Sequence, residues 1–97
     1  MSLGAKGVIS VAANIIPGPI AEMTAACNEG DFCHAAKLQL QYTPLISSLF
    51  SEVNPIPVKQ AMAEMGLDSG ELRLPLCGMG DKNKEKLLKE MRLQGLI

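Results

Sequence analysis

The hydrophobic pattern opens on one short apolar run, Gly7-Val8-Ile9-Ser10-Val11-Ala12, rich in β-branched residues. Gly4 and Gly7 bound it on one side and Asn14 on the other. Such a run reads as a strand covered on both faces, as found inside a parallel sheet. A strand of that kind needs neighbours on both edges. No later segment supplies one, because everything after Ile15 carries a helical period. A lone buried-type strand ahead of helices therefore suggests the end portion of something larger.

The helical part divides into four. Ala13–Pro19 reads as a loop running into a first helix, with Pro19 in the opening turn, where its missing N–H costs little. Ile16, Ile20, Met23 and Cys27 make its apolar stripe, and Gly30 is a natural stop. Asp31 has the chemistry of an N-cap for a second helix. Phe32, Ala35, Ala36, Leu38, Leu40 and Tyr42 are expected on or near that helix's buried side. Pro44 should kink or interrupt it, with Leu45, Ile46, Leu49 and Phe50 continuing the stripe to about Ser51. The short turn between these helices favours an αα-hairpin.

Glu52–Pro57 should start non-helical, since a residue before proline avoids the α region. Asn54 is expected to cap a third helix beginning near Pro55, with Val58, Ala61, Met62 and Met65 as its stripe and Gly66 as its end. In the connection that follows, Leu72-Arg73-Leu74-Pro75-Leu76 alternates like a strand, but Pro75 demotes it to an extended surface or edge segment. Asp81 is expected to cap a fourth helix with Leu87, Leu88 and Met91 inward. Lys89 and Arg92 lie near its C-terminal end, where they suit the helix dipole, and Gly95 closes it. The expected fold class is mainly α: about four helices with one short N-terminal strand. There is no internal repeat and no low-complexity tract.

Composition narrows the function. A chain of 97 residues fits one domain, and at that size roughly 60–70% of the extended surface can be buried. Apolar residues make up 47%, too many for a disordered chain. With only three aromatic residues, the core must be aliphatic, and six Met can fill its gaps. Nine basic against ten acidic residues argue against non-specific nucleic-acid binding. The locally basic Lys82–Lys89 stretch is interrupted by Glu85 and reads as a solvated helix face, with an anion-binding patch as the alternative. Cys27, Cys33 and Cys77 are odd in number and form no C-x-x-C, so neither a disulfide framework nor a zinc site is indicated. Free thiols point to a cytoplasmic location. No apolar stretch approaches a membrane span. The opening Met1-Ser2-Leu3-Gly4 lacks the basic region of a signal peptide and would suit a truncated chain.

Chemistry is sparse. His34 stands alone in the first turn of a helix, and no second histidine or carboxylate has metal-ligand spacing. Gly4 and Gly7 precede the apolar run, whereas a phosphate-binding loop needs strand, glycines and helix in that order. No G-x-S-x-G elbow is present. A Schiff-base lysine must be desolvated or set beside another cation. Lys6 precedes the run, Lys59 lies in a helix, and Lys37 and Lys82 through Lys89 read as solvated, so none is a convincing nucleophile.

Several segments together resemble the dihydrodipicolinate synthase family. They are Gly4-Ala5-Lys6-Gly7-Val8-Ile9-Ser10-Val11-Ala12-Ala13-Asn14, Glu29-Gly30-Asp31-Phe32, Asn54-Pro55-Ile56-Pro57-Val58-Lys59, Leu72-Arg73-Leu74-Pro75-Leu76 and the ending Leu93-Gln94-Gly95-Leu96-Ile97. The third and fourth favour the synthase over relatives such as N-acetylneuraminate lyase. Pro17-Gly18-Pro19 and the glycine-rich Gly78-Met79-Gly80 depart from the family's habit, and both bear on loop geometry only.

The resemblance implies that the chain is the last third of a TIM (β/α)8 barrel enzyme with a helical extension. Residues 1–30 would be the last strand and helix of the barrel, and 31–97 the C-terminal extension. The family condenses pyruvate with aspartate semialdehyde, in lysine and diaminopimelate biosynthesis, through a Schiff base on a lysine of the sixth strand. That lysine and its proton-relaying tyrosine and threonine would lie outside this chain, so it should be inactive alone. Ile9 would line the pyruvate pocket, partly through its backbone carbonyl, as barrel sites form at the C-terminal ends of strands. From the residues alone, Ile9 reads as core packing. No catalytic residue, metal or cofactor is expected in this chain. The expected partners are pyruvate in the full-length enzyme and further copies of the chain, as the family is usually tetrameric. Alone, the chain should dimerise, exchange strands or refold over residues 1–14. A stand-alone, self-associating helical interaction module and a fragment of a related pyruvate-dependent aldolase are the alternatives. A small helical nucleic-acid binder comes last, because charge is against it.

Overall fold

Helix order follows the apolar period. In the computed structural model, which describes residues 1–97, a 3₁₀ turn at Val11–Asn14 is followed by α1 (Pro17–Asn28), α2 (Phe32–Ser48), α3 (Ile56–Glu64) and α4 (Asp81–Leu93). The chain forms two compact units, Met1–Thr43 and Pro44–Ile97.

In the first unit the 3₁₀ turn folds against α1. Ala12, Ile15 and Ile16 are buried, as are Ile20, Met23 and Ala26 of α1. Pro17 occupies the first turn of α1, where no intrahelical N–H bond is due. The helix ends at Gly30, whose φ of 83° is open to glycine without strain. There the Asp31 N–H donates to the Ala26 carbonyl at 2.8 Å and the Gly30 N–H to the Cys27 carbonyl at 3.1 Å, satisfying carbonyls that the helix leaves free. Gly66 and Gly95 close α3 and α4 with the same pair of bonds. Asp31 then caps α2, its Oδ1 accepting the His34 N–H at 3.0 Å.

In the second unit Leu45, Leu49, Leu87 and Met91 are fully buried, and Ile56, Pro57, Val58 and Ala61 of α3 join them in the core. Helices α3 and α4 pack together, with Lys84 Nζ lying 3.5 Å from Glu64 Oε1. Ser48 is buried with its hydroxyl bonded to the Leu45 carbonyl at 2.7 Å. The link between residues 67 and 80 has no strand; it turns at Arg73, whose carbonyl accepts the Leu76 N–H at 3.0 Å, and leaves Leu74 exposed.

Five expectations are corrected. There is no N-terminal strand: residues 5–10 form no ladder, Val8 and Ile9 are exposed, and Val11 and Ala12 belong to the 3₁₀ turn. β propensity needs a partner edge to become a strand, and none is within this chain. Asn54 does not cap α3, because Pro55 occupies the N-cap position and sets Asn54 one residue outside it. Asp81 does not cap α4 either; Gly80 is the N-cap, and Asp81 lies in the first turn, where its charge still suits the dipole. Pro44 does not interrupt α2, which continues to Ser48. The inward face of α2 was drawn too wide: Ala35 is buried and Leu38 and Tyr42 half-buried, whereas Phe32, Ala36 and Leu40 are exposed. At a 100° step those three lie about 60°, 100° and 140° round the helix from Ala35.

Candidate functional site

Ile9 lies just before the 3₁₀ turn, and its side chain is fully exposed at 105%. It is therefore not a core residue within this chain. Ser10 is extended at φ −132° and ψ 126°, and the Asn28 Nδ2 donates to the Lys6 carbonyl at 3.1 Å, tying the start of the segment to the end of α1. Between these anchors the Val8 and Ile9 backbone groups make no hydrogen bond within the chain. The result is an exposed apolar side chain and an unpaired backbone carbonyl at Ile9.

The lysines are exposed or ion-paired. Lys6, Lys37, Lys82, Lys86 and Lys89 are exposed. Lys59 lies 3.2 Å from Asp68 Oδ2, and Lys84 is paired with Glu64.

Two further charged groups have settled geometry. His34 Nε2 lies 2.6 Å from Glu22 Oε1, a half-exposed tie between α1 and α2. The Lys59 ammonium bonded to Asp68, with help from the Gly70 N–H, holds that carboxyl below the usual carboxylate range. Beside this pair is an open cleft of about 530 Å³, lined by Lys59, Ser69, Glu71, Leu72 and Arg73 among others. It combines two cations with one anion and one hydroxyl, and no nucleophile–base pair.

Sequence reasoning missed Glu52, because its partners are distant in the chain. The Glu52 Oε2 accepts the Gly80 N–H at 3.0 Å and the Asn83 side-chain amide at 2.9 Å, so a carboxylate from the α2–α3 link anchors the start of α4. The three cysteines are free. No three histidine, cysteine or acidic groups gather to hold a metal ion. No helix is long and apolar enough to cross a membrane.

Comparison with known proteins gives this geometry a context. A family model described as the dihydrodipicolinate synthetase family matches residues 1–94. The chain is 52% identical to the 4-hydroxy-tetrahydrodipicolinate synthase of Thermodesulfovibrio yellowstonii over all 97 residues, which cover 33% of that protein. Among solved structures, a crystal structure of dihydrodipicolinate synthase superposes with a TM-score of 0.95 at 48% identity, covering 99% of this chain and 33% of the other. The chloride-inhibited synthase from Acinetobacter baumannii, solved in complex with pyruvate, gives a TM-score of 0.92 at 41% identity over 98% of this chain and 33% of that one. The chain thus spans about a third of the length of its relatives and corresponds to their C-terminal part. On its whole length and on its backbone, it belongs to the dihydrodipicolinate synthetase family.

Proposed function

We propose that residues 1–97 are the C-terminal third of a lyase that condenses pyruvate with aspartate semialdehyde through a lysine Schiff base, serving lysine and diaminopimelate biosynthesis. In this reading residues 1–30 are the last strand and helix of a TIM barrel, and 31–97 are a helical extension. The Schiff-base lysine belongs to the missing two-thirds, the chain alone is inactive, and the complete enzyme is a cytoplasmic homo-oligomer. Ile9 lines the pyruvate pocket and presents its carbonyl there.

The observation that carries this reading is the open edge at Val8 and Ile9. Its unpaired backbone groups and exposed apolar side chains are unexplained by the chain's own packing. They are accounted for if neighbouring strands pair with the edge and a barrel mouth forms at its C-terminal end.

Fragment complementation tests the proposal. This chain is co-expressed with the N-terminal two-thirds of the Thermodesulfovibrio relative, and condensation of pyruvate with aspartate semialdehyde is assayed. Activity is expected from the pair and from neither piece, and Ile9→Asp should remove it. A borohydride-trapped pyruvate adduct on any lysine of this chain alone would overturn the reading, as would activity of the pair that is indifferent to Ile9→Asp.

A further inference from the structure

The apolar run Gly7-Val8-Ile9-Ser10-Val11-Ala12 does not encode which face it presents. Val8 and Ile9 are adjacent and both apolar, as are Val11 and Ala12, so no alternation marks an inner and an outer side. Without alternation the register of a strand is weakly specified, and a slip of one residue turns every side chain to the other face. The chain supplies a hold at each end of the run instead. At the far end Ala12 is buried where the 3₁₀ turn packs against α1. At the near end Asn28, the last residue of α1, donates from its Nδ2 to the Lys6 carbonyl at 3.1 Å. That is the only hydrogen bond joining residues 5–9 to the rest of the chain. A one-residue slip moves the backbone by about 3.3 Å, farther than a hydrogen bond can follow.

We propose that Asn28 is a positioning residue for the pyruvate pocket, which rests on the part of the proposed function that sets Ile9 there. By gripping the Lys6 carbonyl, Asn28 fixes the register in which the run pairs with neighbouring strands. Ile9, and not Val8 or Ser10, is then the residue presented to pyruvate. Asn28 touches no reacting atom; it holds the start of the run and acts on Ile9 through the Gly7-Val8 backbone. Gly7 has the widest conformational freedom in that stretch, so without the grip nothing in the chain defines how Ile9 approaches. Helix formation does not by itself call for asparagine here. Asparagine is a weaker helix former than alanine, and the end of α1 closes on backbone bonds from Gly30 and Asp31. The reach to Lys6 gives the Asn28 amide its role.

Two measurements test this. In the isotope-labelled chain alone, Asn28→Ala should lower the heteronuclear NOE of the Gly7, Val8 and Ile9 amides and leave those of α1 unchanged. In the complemented pair, Asn28→Ala should raise the pyruvate KM about two- to fivefold, the low end for a neutral hydrogen bond, because this one is exposed. The KM for aspartate semialdehyde and kcat should stay at the wild-type values. Asn28→Gln keeps the donor and should bring the pyruvate KM back towards wild type. Glu29→Ala, one residue on at the same helix end, should leave it unmoved. Unchanged NOEs in Asn28→Ala would overturn the grip. An active pair whose pyruvate KM ignores Asn28→Ala would overturn the positioning role, as would equal losses in kcat and both KM values for Asn28→Ala and Glu29→Ala, which mark a merely structural effect. A pair inactive with the wild-type chain would instead overturn the proposed function, and with it the pocket role of Asn28, while the NOEs still decide whether Asn28 holds the run.

Discussion

Removing the Glu52 carboxylate should destabilise the second compact unit by loosening the start of α4. Two donors depend on it: the Gly80 N–H at 3.0 Å and the Asn83 amide at 2.9 Å. A typical hydrogen bond contributes about 0.5–1.5 kcal/mol net. The low end, about 0.5–1 kcal/mol for each of the two, applies here, because Gly80 is exposed and water can take the place of the carboxylate. A negative charge at a helix N-terminus adds about 0.3–1 kcal/mol. Glu52→Ala should therefore cost about 2 kcal/mol in total. Glu52→Gln keeps one acceptor oxygen and loses the charge, so it should cost about 0.5–1 kcal/mol. Gly80→Ala is the control. Its Cβ would meet Glu52 Oε2 at 3.3 Å, and the carboxylate can shift by the few tenths of an ångström required, at a backbone φ of −64° that alanine adopts freely. It should change stability little.

Urea titration followed by far-ultraviolet circular dichroism measures these differences, which suits a chain with one Tyr and no Trp. For urea slopes of about 1–3 kcal/mol per molar, a loss near 2 kcal/mol moves the midpoint by about 1–2 M. The gap between wild type and Glu52→Gln should shrink as salt is added, since the helix-dipole part is screened. If Glu52→Ala unfolds at the wild-type midpoint, the carboxylate does not anchor α4 and the reasoning fails. Equal losses for Glu52→Ala and Glu52→Gln would show that charge, not hydrogen bonding, carries the whole effect.

Other outcomes follow from the same structure. Leu87→Ala, at a fully buried position of α4, should cost about 3–5 kcal/mol in urea unfolding, the range for emptying a closed aliphatic site. Asp31→Ala removes the acceptor for the His34 N–H and should cost about 1 kcal/mol in the same assay. Asp68 has a folded-state pKa below its ordinary 3.8, chiefly through its hydrogen bond from Lys59. Its contribution to stability is therefore present above the ordinary value and lost as pH falls through the depressed one. Asp68→Asn should flatten that part of the acid limb in a melting-temperature series, and an unchanged limb would show that the Lys59 contact is not maintained in solution.

What the sequence made legible and what it hid divide along one physical line. Gly30, Gly66 and Gly95 were readable as helix ends because each closure uses bonds within a few residues of the glycine. Asp31 was readable as a cap for the same reason. Glu52 was not, since its partners lie 28 and 31 residues away and nothing local distinguishes it from a solvated glutamate. Asn54 and Asp81 show the opposite error: each has a cap's chemistry, but the neighbouring Pro55 or Gly80 takes the cap position.

The apolar run at the N-terminus is the most instructive case. Val8, Ile9 and Val11 have the propensity of a buried strand, yet Val8 and Ile9 are exposed and unpaired. Propensity reports what a segment does when a partner is present; it does not report the partner's presence. The outer arc of α2 errs in helical form: periodicity assigns Phe32, Ala36 and Leu40 to the chain's own core, whereas they are exposed. The unmet groups at Val8 and Ile9 are backbone N–H and C=O, which a neighbouring strand would satisfy, so no rearrangement of the chain's own side chains can substitute for that partner.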